Sequence, residues 1–366
     1  MPYVLVAKAS RTPGASNGGR VAGPARYAHG HLSNGRAVPH SGHAASRGSE
    51  ARVCSAPMPD PLSLLPLAMA ARGGRIDGFD AAQVVAAGIT LLQRCAPLVR
   101  GMAGRRAAIL LPTCPQFITA LAACDGRAAV LVNPLGSAPE IDWRCRDADV
   151  GALFTNRSHA ARLSGLAALR IPVVLLDDAP RSATVLVDGR TVEVDLGSHH
   201  GLSLEGDAAS PGRDEPCAIV YTSAKSGAPR GEVLSHRNLI ANGRSTVVAA
   251  AMNRDDHALA ILPFSHPFGL TASAIAPLLA GARVTTMQRF HAVKALELIE
   301  GLGITQLAGV PSMFAALVTA LDGRATRLVD HALRVCMCGG AVLPLSTQDR
   351  FAELTGVELM VMDVLP

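Results

Sequence analysis

The chain has 366 residues, 49% of them hydrophobic and 17% charged, enough for a substantial core and for two domains or subdomains. Aromatic residues make up only 3%, so that core is aliphatic, built from Ala, Val and Leu. The net charge of +5 sits wholly in residues 1–60, where Lys8 and six arginines face Glu50 and Asp60; the neutral remainder speaks against a nucleic-acid-binding surface.

Residues 1–60 are rich in Gly, Ala, Ser, Pro, His and Arg, with no sustained apolar period, and read as a disordered tail. Poverty in acidic residues also fits a transit peptide, but the glycines and prolines oppose the amphipathic helix that such a peptide needs. The apolar start, Tyr3 to Ala7, is too short for a signal peptide. No apolar run reaches the roughly 18 residues of a transmembrane segment.

A first α/β subdomain is expected over residues 61–200. Residues 62–71 and 81–98 read as helices, and 107–111 as a strand. Thr113 is placed to cap a helix with Pro115 in its first turn, whose buried face is Phe117, Ala120, Leu121 and Cys124. Strand 128–132 ends at Asn133-Pro134; helix 140–148 and strands 150–155 and 171–176 follow. This alternation predicts a parallel sheet with helices on its faces. Residues 177–216 are polar, with a hairpin at Asp188-Gly189, and lead to the next element.

A second subdomain is expected over 201–366, opening on Cys217-Ala218-Ile219-Val220-Tyr221, an apolar run that reads as a buried strand. The loop after it, Thr222 to Gly231, combines hydroxyls, glycines and the cations Lys225 and Arg230. Glycine lets backbone approach an anion, hydroxyls and N–H groups donate, and cations neutralise, so the loop suits phosphate. Its spacing is not that of a Walker A loop. Ser235 caps a helix over 236–251. Strands are predicted at 259–262, 283–287, 304–308, 333–337 and 357–361, with helices at 272–279, 292–300, 312–321 and 344–354.

Three further turns follow predicted strands, where open parallel sheets place ligands. Pro263-Phe264-Ser265-His266-Pro267-Phe268-Gly269 is a rigid loop with one titratable group, either part of a ligand site or a hydrogen-bonded structural histidine. Gly309-Val310-Pro311-Ser312 and Cys338-Gly339-Gly340-Ala341 are read from spacing as turn chemistry. The eight cysteines form no CxxC pair. Cys336 and Cys338 share one strand face, as a metal or redox pair or, the favoured reading, as buried thiols of a reducing, cytoplasmic setting.

The loop resembles the phosphate loop of the adenylate-forming (AMP-binding) enzymes, which include acyl-CoA synthetases, luciferases and peptide-synthetase adenylation domains. Their pattern is Tyr-Thr-Ser-Gly-Thr-Thr-Gly-x-Pro-Lys-Gly. Tyr221, Thr222, Ser223, Gly227, Pro229 and Gly231 match; Ala224, Lys225, Ser226 and Arg230 depart from it. The resemblance covers roughly residues 62 to 362. It includes the stretch from Arg106 to Pro112, Asn133-Pro134, a Pro-x-x-His-x-x-Gly element at His266, a Gly-Val-Pro turn at Gly309 and a Gly-Gly-Ala stretch at Gly339.

The resemblance implies a fold of two stacked parallel-sheet subdomains flanked by helices, and ATP-dependent activation of a carboxylic, fatty-type acid with transfer to a thiol such as coenzyme A. By the same likeness Thr222, Ser223, Ser226, Gly227, Arg230 and Gly231 hold phosphate, Gly339, Gly340 and Ala341 face adenine, and His266, Phe268, Gly269 and Gly309 line the acyl site. ATP, Mg2+ and coenzyme A are the implied cofactors. In relatives the last strand runs into Tyr-Gly-x-Thr-Glu; here Asp363 and three further residues stand there, and the sequence stops at Pro366. On that basis the C-terminal lid with its lysine is expected to be absent. The alternative is then a truncated, non-catalytic nucleotide- or acyl-binding remnant. Lys225, within the loop, is either an added phosphate ligand or a solvent-facing side chain.

Overall fold

Val150–Thr155 is buried at all six positions, the mark of a strand covered on both faces. It lies inside the first of two eight-stranded sheets in the computed structural model. That model describes residues 5–8, 64–95, 106–124, 128–162, 171–177, 181–197, 214–222, 229–324, 328 and 330–364. All of these belong to one compact unit, Met1–Ala9 with Pro59–Pro366; a second unit, Ser10–Met58, lies outside the described residues.

The first sheet runs, in spatial order, Gly231–Ser235, Pro216–Tyr221, Ala129–Leu131, Arg106–Ile109, Val150–Thr155, Val173–Leu175, Ser182–Val187 and Arg190–Asp195. Its five central members are parallel and its outer ones antiparallel. The second runs Leu5–Lys8, Leu359–Val364, Val335–Gly339, Gln306–Gly309, His257–Ala260, Arg283–Thr286, Arg75–Ile76 and Phe79–Asp80, again parallel except at its edges. The predicted α/β class with two parallel-dominated sheets is observed.

One hydrophobic cluster joins the two sheets: Ile109, Ala129 and Val220 of the first share it with Ile76, Ala260 and Val284 of the second. Helices Leu65–Ala70, Ala81–Cys95, Pro115–Ala123 and Ala276–Ala280 contribute its middle. They approach closely because their contact residues are small. A Cβ on Gly88 would lie 2.3 Å from the Thr119 carbonyl oxygen and 2.7 Å from the Ala122 Cβ. Thr119 Oγ1 also donates to the Val84 carbonyl at 3.2 Å. An alanine-rich core with few aromatics follows from such crossings.

Sheet membership departs from the boundary expected at residue 200. The strand before the phosphate loop pairs with Ala129–Leu131, so it belongs to the first sheet and not to the second. Conversely, Arg75–Asp80 joins the second sheet. There Asp77, at φ +47°, accepts from the Thr286 backbone N–H at 2.7 Å and from its hydroxyl at 2.5 Å. A buried apolar run carries no mark of which sheet it will enter, because either would cover both its faces.

Local signals fare better. Ser235 caps the His236–Ala249 helix in a reciprocal box with Asn238. Asp188 and Gly189, both at positive φ, form the tight turn of a hairpin that extends the first sheet. Thr113 does not cap the Pro115–Ala123 helix: its hydroxyl donates to the Leu262 carbonyl at 3.0 Å, and Cys114 holds the cap position. The expected helix at 272–279 is a π-helical stretch, Thr271–Ile275, between short α-helices. The tail expected to be disordered falls outside the described residues apart from Leu5–Lys8. These pair antiparallel with the last strand, whose edge supplies hydrogen-bond partners that an isolated segment lacks.

Cys336 and Cys338 are both fully buried among Leu307, Phe314 and Phe351, and burial pushes the Cys338 thiol up to about 11. Among the described residues no group of three or more His, Cys, Asp or Glu could hold a metal. No helix among them is long and apolar enough to cross a membrane.

His236 is 2% exposed, and its Nδ1 accepts the Leu65 N–H at 3.1 Å, which ties the two helices together. Burial lowers its pKa to about 4. The unfolded chain protonates it near pH 6.5, so its contribution to stability is complete above that pH and is lost as pH falls towards 4. Denaturant midpoints measured from pH 7.5 to 4.5 should decline, and His236→Gln should flatten the decline; parallel profiles would refute this.

Candidate functional site

The parallel strands of both sheets end on one cavity of about 630 Å³. From the first sheet side come Leu131, Asn133, Val220, Tyr221, Thr222 and Glu232, with Arg144 from the Ala138–Asp147 helix. From the second come Leu262, Pro263 and Ser265 to Phe268 of the turn after His257–Ala260, together with Val310, Met313 and Gly340. Carboxyl ends of parallel strands are where backbone turns away and leaves room for ligand.

The phosphate-loop candidate springs from this floor. Tyr221 stands opposite Gly231 in an antiparallel pair, and Thr222 and Arg230 close the base of the loop. The Thr222 N–H donates to the Arg230 carbonyl at 3.0 Å, and the Arg230 N–H donates to Thr222 Oγ1 at 3.3 Å. Ser223, Lys225, Ser226 and Gly227 lie outside the described residues. A Cβ on Gly231 would press on the Tyr221 ring, 3.3 Å from Cζ.

Tyr221 is held firmly. Its hydroxyl donates to Asp147 Oδ2 at 2.6 Å, Trp143 meets the ring edge-on at 5.6 Å, and the Arg144 guanidinium lies 5.5 Å from the ring centroid. Desolvation first, then the Asp147 carboxylate, pushes the phenol pKa up, so it stays a neutral donor.

On the facing side, His266 caps the short Pro267–Leu270 helix. Its N–H donates to the Pro263 carbonyl at 3.1 Å, and Nδ1 accepts from the Phe268 N–H at 3.2 Å. With Nδ1 accepting, the ring proton of the neutral form sits on Nε2. The ring is open to solvent yet crowded by protein, and loss of hydration lowers its pKa, which favours that neutral form. Phe268 is buried against Leu262, Ala272, Ala308 and Met337.

The cavity therefore brings together Thr222, His266, Phe268 and Gly340 of the predicted residues. Arg230 and Ala341 are exposed, and neither lines it. Gly269, Gly309 and Gly339 do packing work instead. A Cβ on Gly269 would meet the Pro263 carbonyl oxygen at 2.2 Å, one on Gly309 the Phe314 ring at 3.1 Å, and one on Gly339 the Met362 carbonyl oxygen at 3.0 Å. Gly339 leaves room for Phe268, whose Cε1 would stand 3.4 Å from such a Cβ. Gly340, at φ +84°, turns the chain into the cavity wall.

Sequence reasoning did not pick out Arg144, Glu232, Asn242 or Met313. Arg144 follows Glu140 by four residues and reads as a solvated helical pair; only its 12% exposure sets it apart. Glu232 is the carboxylate among the described cavity residues. Magnesium fits such a lining as an ion carried on phosphates with few protein ligands, and Glu232 would be its protein partner.

A family model described as AMP-binding enzyme matches residues 98–362. The chain belongs to this family. It is 29% identical over 272 residues to a feruloyl-CoA synthase from Amycolatopsis sp., covering 72% of this chain and 51% of that protein. It is 25% identical over 284 residues to the long-chain-fatty-acid–CoA ligase of Bacillus subtilis (strain 168), covering 70% and 50%. The chain thus spans about half the length of these family members. The fold matches that of ATP-bound MatB from Rhodopseudomonas palustris with a TM-score of 0.65 at 22% identity, over 82% of this chain and 59% of that one.

Proposed function

We propose that the cavity binds ATP and a carboxylic acid and joins them as an acyl-adenylate, whose acyl group then passes to a thiol, coenzyme A in the first instance. The observation that carries this is the family match across residues 98–362. The cavity beside the Thr222–Arg230 loop base supports it. A carboxylate oxygen attacks the α-phosphorus, the bond to the bridging oxygen breaks, and pyrophosphate leaves. Thiolate then attacks the acyl carbon and AMP leaves. Positioning and charge neutralisation supply most of the acceleration.

The chain's own groups suit these steps. Thr222 Oγ1 accepts the Arg230 N–H and keeps its own proton to donate to a phosphate oxygen. His266 offers Nε2–H to a carboxylate oxygen. Magnesium, when bound, would neutralise charge on the phosphates. Leu262, Phe268, Val310 and Met313 give the wall an apolar character that suits an acid with an apolar body. A fatty acid is our first candidate and an aryl acid the competitor. The seven cysteines among the described residues are free and buried, which fits a reducing cytoplasmic location.

Ala224, Lys225 and Ser226, where the family pattern has Gly-Thr-Thr, favour a second reading: nucleotide binding without turnover. Pyrophosphate release is to be measured with ATP, Mg2+ and a panel of fatty, aryl and short carboxylic acids. Release with at least one acid is expected and identifies its class. ATP binding by calorimetry with no release from any acid would establish the second reading. Lys225→Ala should weaken ATP binding if that lysine is a phosphate ligand, and equal affinities would assign it to solvent.

A further inference from the structure

Arg144 and Arg146 sit two residues apart on one helix, and each pairs with a carboxylate four residues earlier. Their surroundings differ. The Arg146–Asp142 pair is open, at 65% and 38% side-chain exposure, as a solvated surface pair is. Arg144 keeps 12% exposure, lines the cavity, and lies against the Tyr221 ring. Its Nη2 meets Glu140 Oε1 at 2.6 Å, while its Nε is buried with no hydrogen-bond partner.

A guanidinium is strongly charged and carries five donors in a fixed fork. Burying it with donors unused is costly unless a bound anion completes the set. The stacking surface of Arg144 is Tyr221, the residue from which the phosphate loop departs, and Asp147 fixes that ring through its hydroxyl. The cation is thereby held rigidly at the foot of the loop.

We propose that Arg144 is a ligand for the terminal phosphates of a polyphosphate in the cavity, whether the β- and γ-phosphates of ATP or free pyrophosphate. This rests on the ATP reading above. It adds a cation that the loop's own sequence does not contain. Glu140 restrains one arm of the fork, while the part of Arg144 that lines the cavity stays open to ligand.

The test is calorimetric, on the full chain with Mg2+, using ATP, pyrophosphate and AMP as separate probes for wild type, Arg144→Gln and Glu140→Gln. Arg144→Gln should weaken ATP and pyrophosphate about tenfold, the loss of one charge-assisted contact, and leave AMP within about twofold. Loss for ATP alone assigns the contact to the nucleotide, and loss for pyrophosphate alone to the departing product. Should Arg144→Gln fail to fold, Glu140→Gln decides: releasing the fork should tighten pyrophosphate severalfold. The proposal is overturned if a folded Arg144→Gln binds both probes as wild type does, or if Glu140→Gln leaves pyrophosphate affinity unchanged. Wild type that binds none of the probes would instead remove the ATP reading itself, and the proposal with it.

Discussion

Gly269→Ala should cost about 3 kcal/mol of stability or more and abolish ligand binding, the cost expected when a close-packed site is overfilled against backbone. The new Cβ would stand 2.2 Å from the Pro263 carbonyl oxygen, 2.9 Å from the Leu262 Cβ and 3.0 Å from the Pro263 carbonyl carbon. No side chain can rotate away to relieve the carbonyl contact. The turn is also closed by hydrogen bonds from the His266 N–H to the Pro263 carbonyl and from the Leu270 N–H to the His266 carbonyl. Moving Pro263 therefore moves His266 and Phe268, two walls of the cavity. Gly301→Ala is the control. Gly301 lies within the Ala292–Leu302 helix with nothing within 4 Å of its would-be Cβ, so alanine there should stabilise by up to about 1 kcal/mol. Thermal midpoints for the two variants should move in opposite directions. A Gly269→Ala midpoint equal to wild type would show that the turn yields easily.

Arg334→Met is the second large effect expected, a loss of about 3 kcal/mol. Asp256 has a side chain 3% exposed and lies just before the His257–Ala260 strand. Arg334 donates to both its oxygens, at 2.8 Å from Nε and 2.5 Å from Nη2, and also reaches the Ala250 and Ala251 carbonyls. Thr305 Oγ1 donates to Oδ1 and the Asn253 N–H to Oδ2, each at 2.8 Å. The group thus ties together the starts of three neighbouring strands and the end of the His236–Ala249 helix. Removing the cation leaves a buried carboxylate with too few donors, which typically costs 3–5 kcal/mol; the partial exposure of Arg334 puts this case at the low end.

Desolvation alone would raise the Asp256 pKa, but hydrogen bonds from Arg334, Asn253 and Thr305 outweigh it, and the net shift is downward. The stability that it contributes is therefore present above about pH 3.9, the ordinary carboxylate value. It is lost as pH falls through the lower folded-state value. Urea titrations of wild type and Arg334→Met at pH 7 would settle the magnitude. A difference below about 0.5 kcal/mol, the range of ordinary surface substitutions, would mean that the pair is dispensable.

Much of this molecule is legible along the chain. Capping by Ser235, the turn at Asp188-Gly189 and the alternation of apolar runs with helical periods are local signals, and each depends on neighbours within a few residues. The phosphate-loop pattern from Tyr221 to Gly231 is likewise continuous in sequence. Thr113 misled because a hydroxyl before a helix suits a cap, while the Leu262 carbonyl, 149 residues away, offered a buried acceptor. Gly269, Gly309 and Gly339 read as ligand-facing, but the structure sets them against other backbone and rings.

By itself the sequence determined the α/β class, the element order and the loop that marks the family. These follow from short-range propensity and from patterns with a fixed period. Only the tertiary structure decided that the loop's strand enters the first sheet, that Arg75–Asp80 crosses to the second, and that Arg144 rather than Arg146 is buried at the cavity. Those choices depend on which surfaces exclude water together, a property of residues far apart in the chain.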